Sequence, residues 1–174
     1  MKQFKRILVP VDFEPATDEA VESGGAIDAA GQHVELSAAS MAAVAMAAGL
    51  ARVGPGGKLY LVHVTPAFQT ATMYTGPVSL PVGVLEEIQE RAREAALAVL
   101  RHLTEKLCGG CVVEHIVGPG QTAQGVIEEA GRIDADLIVM AASGRSRVAR
   151  FFVGSTADRV IRESPCPVLV IPAR

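Results

Sequence analysis

The sequence contains no tryptophan, few aromatic residues of any kind (4%) and no excess of positive charge. Its 16 Lys and Arg residues are outnumbered by 19 Asp and Glu residues, which gives a formal net charge of -3. Proteins that bind nucleic acid usually gather a surplus of basic residues on one face. The charge balance therefore argues against nucleic acid as a partner.

Long apolar runs are also missing. No segment reaches the roughly 18 uninterrupted apolar residues of a membrane helix. The apolar run near the N-terminus, ILVPV, is too short for the hydrophobic region of a signal peptide. We therefore expect a soluble cytoplasmic protein without a membrane partner, whose 3 cysteines stay reduced.

The chain of 174 residues, 49% of them hydrophobic, is long enough for one well-buried core, and a single domain over residues 1–174 is expected. Short, apolar, β-branched segments predict five strands, and longer segments with helical spacing predict four helices. The predicted strands are Arg6–Val11, Lys58–Val64, Cys111–Val117, Asp136–Ala141 and Pro167–Ile171. The predicted helices are Ser37–Val53, Gly83–Leu107, Thr122–Ile133 and Ser155–Glu163.

Strands that alternate with helices predict an open α/β sheet of parallel strands joined by right-handed crossovers. In such sheets ligands bind beyond the carboxyl ends of the strands, where the strand order reverses. Two segments depart from the alternation. The acidic segment 14–35 has weak alternation around Ala-Ala-Gly-Gln, which predicts a small hairpin, and the proline-containing segment 65–81 predicts a mobile loop.

Two strand ends supply candidate ligand contacts. Asp12 follows the first strand, where a carboxylate either caps a turn or accepts hydrogen bonds from a ribose or a base. Val64 ends the second strand and offers its backbone N–H and C=O to an adenine edge. Its neighbour His63 is interpreted as a strand residue of intermediate burial and not as a catalytic one.

The segment ASGRSRVARFFVGSTADRV combines Gly144, a spacer of nine residues, and Gly154, Ser155 and Thr156 at the start of a helix. One interpretation is a capping box, in which the Ser155 hydroxyl caps the helix and Asp158 completes the motif. The other is a phosphate site, because glycine lets an anion approach exposed backbone N–H groups. The segment matches neither a Walker A loop nor a G-x-G-x-x-G fingerprint.

These motifs together resemble the universal stress protein family in its ATP-binding form. The resemblance lies in ILVPVDF, LYLVHV, ADLIVM and ADRVIRESPCPVLVIP, and in Gly144, nine residues, Gly154 and Ser155. Family members of that form carry G, two residues, G, nine residues, G and S/T. Here Ala141 replaces the first glycine, which puts the affinity in question and leaves the fold unaffected. The resemblance treats residues 14–35 as an insertion.

The resemblance implies a flavodoxin-like sheet of five parallel strands, a Rossmann-like three-layer sandwich of the adenine nucleotide alpha hydrolase class. It also implies a homodimer through Pro167–Ile171 and a bound adenine nucleotide, ATP first, with ADP, AMP and a magnesium ion left open. The implied adenosine contacts are Pro10, Val11, Asp12 and Val64, the ribose contacts are Met140 and Ala141, and the phosphate contacts are Gly144, Arg145, Gly154, Ser155 and Thr156. Arg147 and Arg150 add positive charge to the same segment.

Cys108 and Cys111 form a C-x-x-C motif with His102 and His115 nearby, which leaves a zinc or redox site as a rival interpretation. A glycine-rich helix stop flanked by two small apolar cysteines is the simpler one.

The sequence shows no placed nucleophile, general base or metal-ligand set that a hydrolase or kinase needs. We therefore expect no catalytic residues and no metal site, but a nucleotide-binding regulatory module with at most slow ATP hydrolysis that acts on an unidentified protein. A nucleotide-independent interaction module and a phosphotransfer enzyme remain the alternatives.

Overall fold

The computed structural model describes residues 3–53, 55–66, 82–142 and 154–172. In chain order their strands are β1 (Arg6–Pro10), β2 (Glu14–Pro15), β3 (Ile27–Ala29), β4 (Gln32–Glu35), β5 (Lys58–Pro66), β6 (Val112–Gly120), β7 (Leu137–Ala141) and β8 (Val168–Ile171). The helices are α1 (Asp18–Glu22), α2 (Ala38–Val53), α3 (Val82–Leu107), α4 (Thr122–Arg132) and α5 (Ser155–Glu163).

Five of these strands form one parallel sheet in the order β6-β5-β1-β7-β8. The predicted open α/β sheet is therefore confirmed. When the strands of this sheet are numbered in chain order, their arrangement is 3-2-1-4-5. This is the order of the first five strands of a Rossmann fold and differs from the 2-1-3-4-5 order of flavodoxin. The order reverses at β1, which lies between β5 and β7.

Each face of this sheet has its own hydrophobic core. Ile7 and Leu59 enter the core beneath α2 and α3, whereas Leu8 and Val62 enter the core beneath α4 and α5. Successive strand residues thus point to opposite cores, as the two-residue period of a strand requires. Burial on both faces explains why these strands are nearly continuous apolar runs in the sequence.

The segment after β1 builds a second, antiparallel sheet in the order β2-β4-β3. β3 and β4 are joined by Ala30 and Gly31, whose φ angles are 54° and 82°. Two successive residues with positive φ are typical of a type I′ hairpin turn, and the Asp28 carboxylate accepts the Gly31 N–H at 3.0 Å. The predicted hairpin is confirmed.

β2 and α1 add structure that the sequence analysis did not predict. The Glu35 carboxylate accepts both the N–H and the hydroxyl of Thr17, and the Thr17 hydroxyl caps α1 by accepting the Ala20 N–H at 3.2 Å. Ala29 and Val34 anchor this unit in the core beneath α2 and α3. Residues 14–35 are therefore a folded extension of the main core.

Most predicted element bounds agree with the structure to within one to three residues. The Ser37 hydroxyl accepts the Ser40 N–H at 3.0 Å and so caps α2. Thr65 and Pro66 were assigned to the loop 65–81, but they continue β5 because they pair with Pro119 and Gly120 of β6. Residues 67–81 lie outside the described residues.

In the described ranges, no helix combines the length and the apolar character needed to cross a membrane. Even α3, which has 26 residues, carries charged side chains along its exposed side, among them the ion-paired Glu87 and Arg91.

The turn between α2 and β5 depends on Gly57. A Cβ atom at this position would overlap the carbonyl oxygen of Ala51 and lie 2.9 Å from the Ala51 Cα atom. Backbone atoms cannot move aside cheaply, because Ala51 is buried in the last turns of α2. Glycine at position 57 thus allows the chain entering β5 to pass close to the backbone of Ala51 in α2.

We expect Gly57→Ala to lower the free energy of unfolding by roughly 3 kcal/mol, because the turn must open to admit a methyl group. Gly49→Ala is the matched control. A Cβ at Gly49, in the interior of α2, meets no atom within 4 Å, so alanine should raise stability by about 0.5–1 kcal/mol. Urea unfolding followed by circular dichroism measures both changes, and equal effects of the two substitutions would contradict this role of Gly57.

Candidate functional site

The carboxyl edge of the large sheet opens between β1 and β7. Pairing of these strands extends from Ile7–Leu137 to Leu8–Ile138. β1 stays paired with β5 as far as Pro10–Val62, and β7 stays paired with β8 as far as Ala141–Ile171. Pro10 has no N–H with which to extend the β1–β7 ladder. The helices that cover the sheet after β1 and β7, α2 and α5, lie on opposite faces, and a crevice is expected beyond the carboxyl ends of two strands at which the strand order reverses in this way.

The predicted site residues lie on both sides of this crevice. Pro10, Val11 and Asp12 form the end of β1 and its continuation, and Met140 and Ala141 form the end of β7. Asp12 is exposed, whereas Val11 on one side of it is buried and Phe13 on the other is half-buried. The Asp12 carboxylate is thus held at the edge by neighbours that pack into the core.

Val64 presents its backbone to the same space. The carbonyl of Val62 accepts the Val11 N–H at 2.8 Å, so the backbone groups of Val62 point toward β1. Successive residues of a strand in a parallel sheet direct these groups alternately to the two neighbours, so Val64 also directs its N–H and C=O toward β1. The β1–β5 pairing has ended at Pro10, and the Val64 N–H makes no hydrogen bond to the Val11 carbonyl in the described part of the chain.

The side chain of Val64 packs against α4. A Cβ atom added to Gly125 would lie 2.9 Å from Val64 Cγ2. Glycine at this position therefore lets α4 lie close over the end of β5, and Val64 is 8% exposed. This packing fixes the strand end from the face opposite α2 and α3.

The N-termini of α4 and α5 lie side by side at the carboxyl edge. Arg159 of α5 donates to Gln124 at 2.7 Å and to Gln121, the residue before α4, at 3.5 Å. Neither Gln121 nor Gly154, the residue before α5, makes a side-chain capping bond. Within the described residues, uncapped N–H groups and the positive ends of two helix dipoles therefore lie in one region, which favours an anion.

Of the two interpretations of this segment, the capping box with Ser155 as the cap residue is wrong. Gly154 is the N-cap residue of α5, and Ser155 is already its first helical residue. Asp158, the partner in the capping-box interpretation, instead forms a salt bridge with Arg162, whose guanidinium nitrogen lies 2.8 Å from the Asp158 carboxylate. The N–H groups of Ser155 and Thr156 precede the first intrahelical bond, which runs from the Asp158 N–H to the Gly154 carbonyl, so they face outward from the helix end.

Gly144, Arg145, Arg147 and Arg150 lie outside the described residues.

His63 is more deeply buried than the intermediate burial predicted from the sequence. It is 8% exposed, its Nδ1 atom lies 2.8 Å from the Val11 carbonyl oxygen, and its ring stacks on Phe13 with centroids 4.4 Å apart. Because a carbonyl only accepts, Nδ1 carries the proton. Burial lowers the pKa of His63, although the bond to Val11 and the charge of Asp12 act in the opposite direction. A polar ring within an apolar strand was the available signal.

The C-x-x-C motif does not assemble into a site. Within the described residues, no group of three or more His, Cys, Asp or Glu side chains is placed to hold a metal ion. Burial raises the pKa of Cys108 to about 11, which disfavours the thiolate. The Cys111 thiol donates to the Ala48 carbonyl, and His115 Nε2 lies 2.8 Å from the Thr104 hydroxyl. These contacts describe packing between α2, α3 and β6.

The sequence model of the universal stress protein family matches residues 33–172. The universal stress protein YxiE of Bacillus subtilis is 29% identical over 116 residues, which cover 66% of this chain and 78% of YxiE. A universal stress protein of Thermus aquaticus is 30% identical over 118 residues, which cover 67% of this chain and 78% of that protein.

Solved structures share the fold. The universal stress protein UspA from Lactobacillus plantarum aligns with a TM-score of 0.65 at 22% identity, over 98% of this chain and 99% of its own. A universal stress protein in complex with cAMP has a TM-score of 0.60 at 22% identity, covering 99% and 100%. A universal stress family protein from Arabidopsis thaliana with AMP bound has a TM-score of 0.60 at 15% identity, covering 98% and 92%.

The buried imidazole predicts a pH dependence of stability. The pKa of His63 is lower in the folded chain than its ordinary value of 6.5, so the unfolded chain binds the proton first as the pH falls. Stability should therefore drop as the pH decreases through about 6.5 and level off below the folded pKa. Urea unfolding from pH 8 to pH 5 should show a smaller drop in His63→Leu than in the wild type.

His115 has a pKa lowered by burial and by the charge of Arg101, so His115→Leu should remove a separate part of the slope. Parallel stability curves for the wild type and His63→Leu would rule out a buried neutral His63.

Proposed function

The chain belongs to the universal stress protein family, and we propose that it binds an adenine nucleotide, ATP in the first place, in the crevice between β1 and β7. The observation that carries this proposal is the placement of the α5 N-terminus, where Gly154 makes no side-chain capping bond, at the carboxyl edge where the strand order reverses. Such an end of a helix is suited to a phosphate group.

The phosphates would lie at the start of α5. The outward N–H groups of Ser155 and Thr156 and the two hydroxyls are the donors, and Gly154 has no side chain to keep a phosphate away. The neighbouring N-terminus of α4, held by Arg159, adds a second positive dipole end. By the family pattern Gly144 would also contact the phosphates, and we propose that Arg145 would add positive charge there.

The adenosine would lie across the crevice. Val64 directs toward the space beyond β1 a backbone N–H and C=O that have no partner among the described residues, and these groups match the acceptor and donor on one edge of adenine. The exposed Asp12 carboxylate accepts from a ribose hydroxyl or the base amine, with Pro10 and Val11 as the adjoining wall. Met140 and Ala141 form the opposite wall on the ribose side.

Two structural relatives, solved with AMP and with cAMP, hold adenine nucleotides on the same fold. We propose the same ligand class for this chain, with ADP and AMP as weaker alternatives to ATP and with Mg²⁺ accompanying the triphosphate.

The proposed role is regulatory. Asp12 is the carboxylate that directly follows a strand at the crevice, and a single carboxylate does not supply the base, nucleophile and metal ligands of efficient phosphoryl transfer. Any ATP hydrolysis should therefore be slow. Nucleotide occupancy would instead change the surface offered to a protein partner.

We also propose a homodimer through β8. In the described chain β8 pairs with β7 alone and forms one edge of the large sheet. Leu169, at its centre, is 37% exposed. An exposed apolar edge strand presents unpaired backbone groups and favours pairing with a second copy.

Calorimetric titration of ATP, ADP and AMP, each with and without Mg²⁺, tests the nucleotide site. We expect micromolar binding, about -8 kcal/mol, that weakens at least tenfold in Gly154→Val, because two additional methyl groups on a branched side chain would stand where a phosphate approaches the α5 N-terminus.

Gly109→Val is the control for that substitution. Gly109 lies at the opposite edge of the sheet, and a Cβ there meets nothing within 4 Å. Binding should be unchanged in this variant. Wild-type protein that binds none of the three nucleotides, or Gly154→Val protein that binds them equally well, would refute the proposed site.

Leu169→Lys should yield monomers, because a charge at the centre of β8 opposes the pairing of two edge strands. Val112→Lys is the matched control, since Val112 lies in β6 at the other edge of the same sheet and is 63% exposed. Light scattering after gel filtration measures the mass. A dimer that survives Leu169→Lys and dissociates in Val112→Lys would place the interface at β6.

A further inference from the structure

The β1–β5 ladder ends abruptly at the candidate site. The Val11 N–H still donates to the Val62 carbonyl at 2.8 Å. In a continuing parallel ladder, the next hydrogen bond would run from the Val64 N–H to the Val11 carbonyl. The structure places a side chain there instead, because the Val11 carbonyl oxygen lies 2.8 Å from Nδ1 of His63.

We propose that His63 is a positioning residue that ends this ladder and thereby keeps the Val64 N–H available to a ligand. The imidazole occupies the acceptor that the Val64 N–H would otherwise use. The chain beyond Val11 is then free to leave the sheet, and it carries Asp12 to the crevice. This inference rests on the proposed nucleotide site but concerns a residue that touches no nucleotide.

Three contacts hold the ring in this role. Nδ1 donates to Val11, Phe13 stacks on the ring with an interplanar angle of 22°, and the surrounding core leaves His63 8% exposed. Val11 and Phe13 are the two neighbours of Asp12 in the chain. His63 therefore fixes the backbone on both sides of Asp12 and also keeps the Val64 N–H out of the β1–β5 ladder.

The role of His63 depends on which other hydrogen-bond donor could reach the Val11 carbonyl. If the imidazole donor is removed, the buried carbonyl needs another hydrogen-bond donor, because leaving it unpaired is costly. The Val64 N–H is the donor that a one-step extension of the ladder would bring to it. Loss of His63 should thus convert a ligand-facing amide into a sheet amide.

Amide hydrogen exchange of the ligand-free protein, followed by NMR, tests this conversion directly. In His63→Leu we expect the Val64 amide to exchange about tenfold more slowly than in the wild type, which corresponds to one added hydrogen bond. His63→Asn keeps an N–H donor near the position of Nδ1, so the Val64 amide should exchange at nearly the wild-type rate.

His115→Leu is the matched control. His115 is a partly buried histidine in β6, bonded to Thr104 and on the far side of β5 from β1. Its removal should leave exchange at Val64 unchanged. If the Val64 amide in His63→Leu exchanges as fast as in the wild type or faster, or is slowed equally in His115→Leu, the ladder-ending role of His63 is wrong.

AMP titration of the same variants separates this inference from the proposed function. If the wild type binds AMP, we expect about tenfold weaker binding in His63→Leu and recovery in His63→Asn. If the wild type binds no AMP but the exchange rates change as expected, His63 ends the ladder and the AMP site is refuted. If AMP binds equally to all variants, Val64 does not contact the ligand and the positioning role is overturned.

Discussion

The candidate site depends on where the hydrogen-bond ladders of β1 stop. The β1–β7 ladder includes Ile7 and Leu8, and the β1–β5 ladder ends at Pro10, while the outer strand pairs continue. A crevice of this kind cannot be moved along the sheet without changing strand register, because a slip of one residue would exchange the two cores. The core packing of Ile7 and Leu8 therefore also determines the position of Asp12.

The distribution of charge gives the crevice a direction. From Ile7 to Ala51 the chain carries no Lys or Arg, so the β1 side is acidic; its carboxylates are Asp12, Glu14, Asp18, Glu19, Glu22, Asp28 and Glu35. The α5 side instead offers the positive end of a helix dipole. Phosphates are repelled by the first side and attracted by the second. The folded segment 14–35 would thus favour one orientation of the proposed nucleotide, with adenosine at β1 and phosphates at α5.

The large sheet could be predicted from the sequence because burial on both faces leaves a continuous apolar run, as in β7. Local signals also predicted the hairpin at Ala30 and Gly31. Tertiary contacts were needed for the rest. β2 is exposed and pairs with a strand about twenty residues away in the chain. Ser155 fits the sequence pattern of a capping box, but the N-cap residue of α5 is Gly154, which has no side chain to form a capping bond. The role of His63 required knowing which residue faces Val11 across the sheet.

The replacement of the first glycine of the family pattern by Ala141 can now be assessed in physical terms. Ala30 and Asp134 are the non-glycine residues with positive φ in the described chain, so Ala141 has an ordinary backbone conformation. The next residue, Ala142, donates its N–H to the Ile171 carbonyl at 2.8 Å, which keeps this end of β7 extended beside β8. Glycine's conformational freedom is therefore not required at this position. The cost of alanine is confined to the volume of one half-buried methyl group. In the proposed site this group would affect the distance at which a ribose packs and would leave the backbone donors of α5 unchanged.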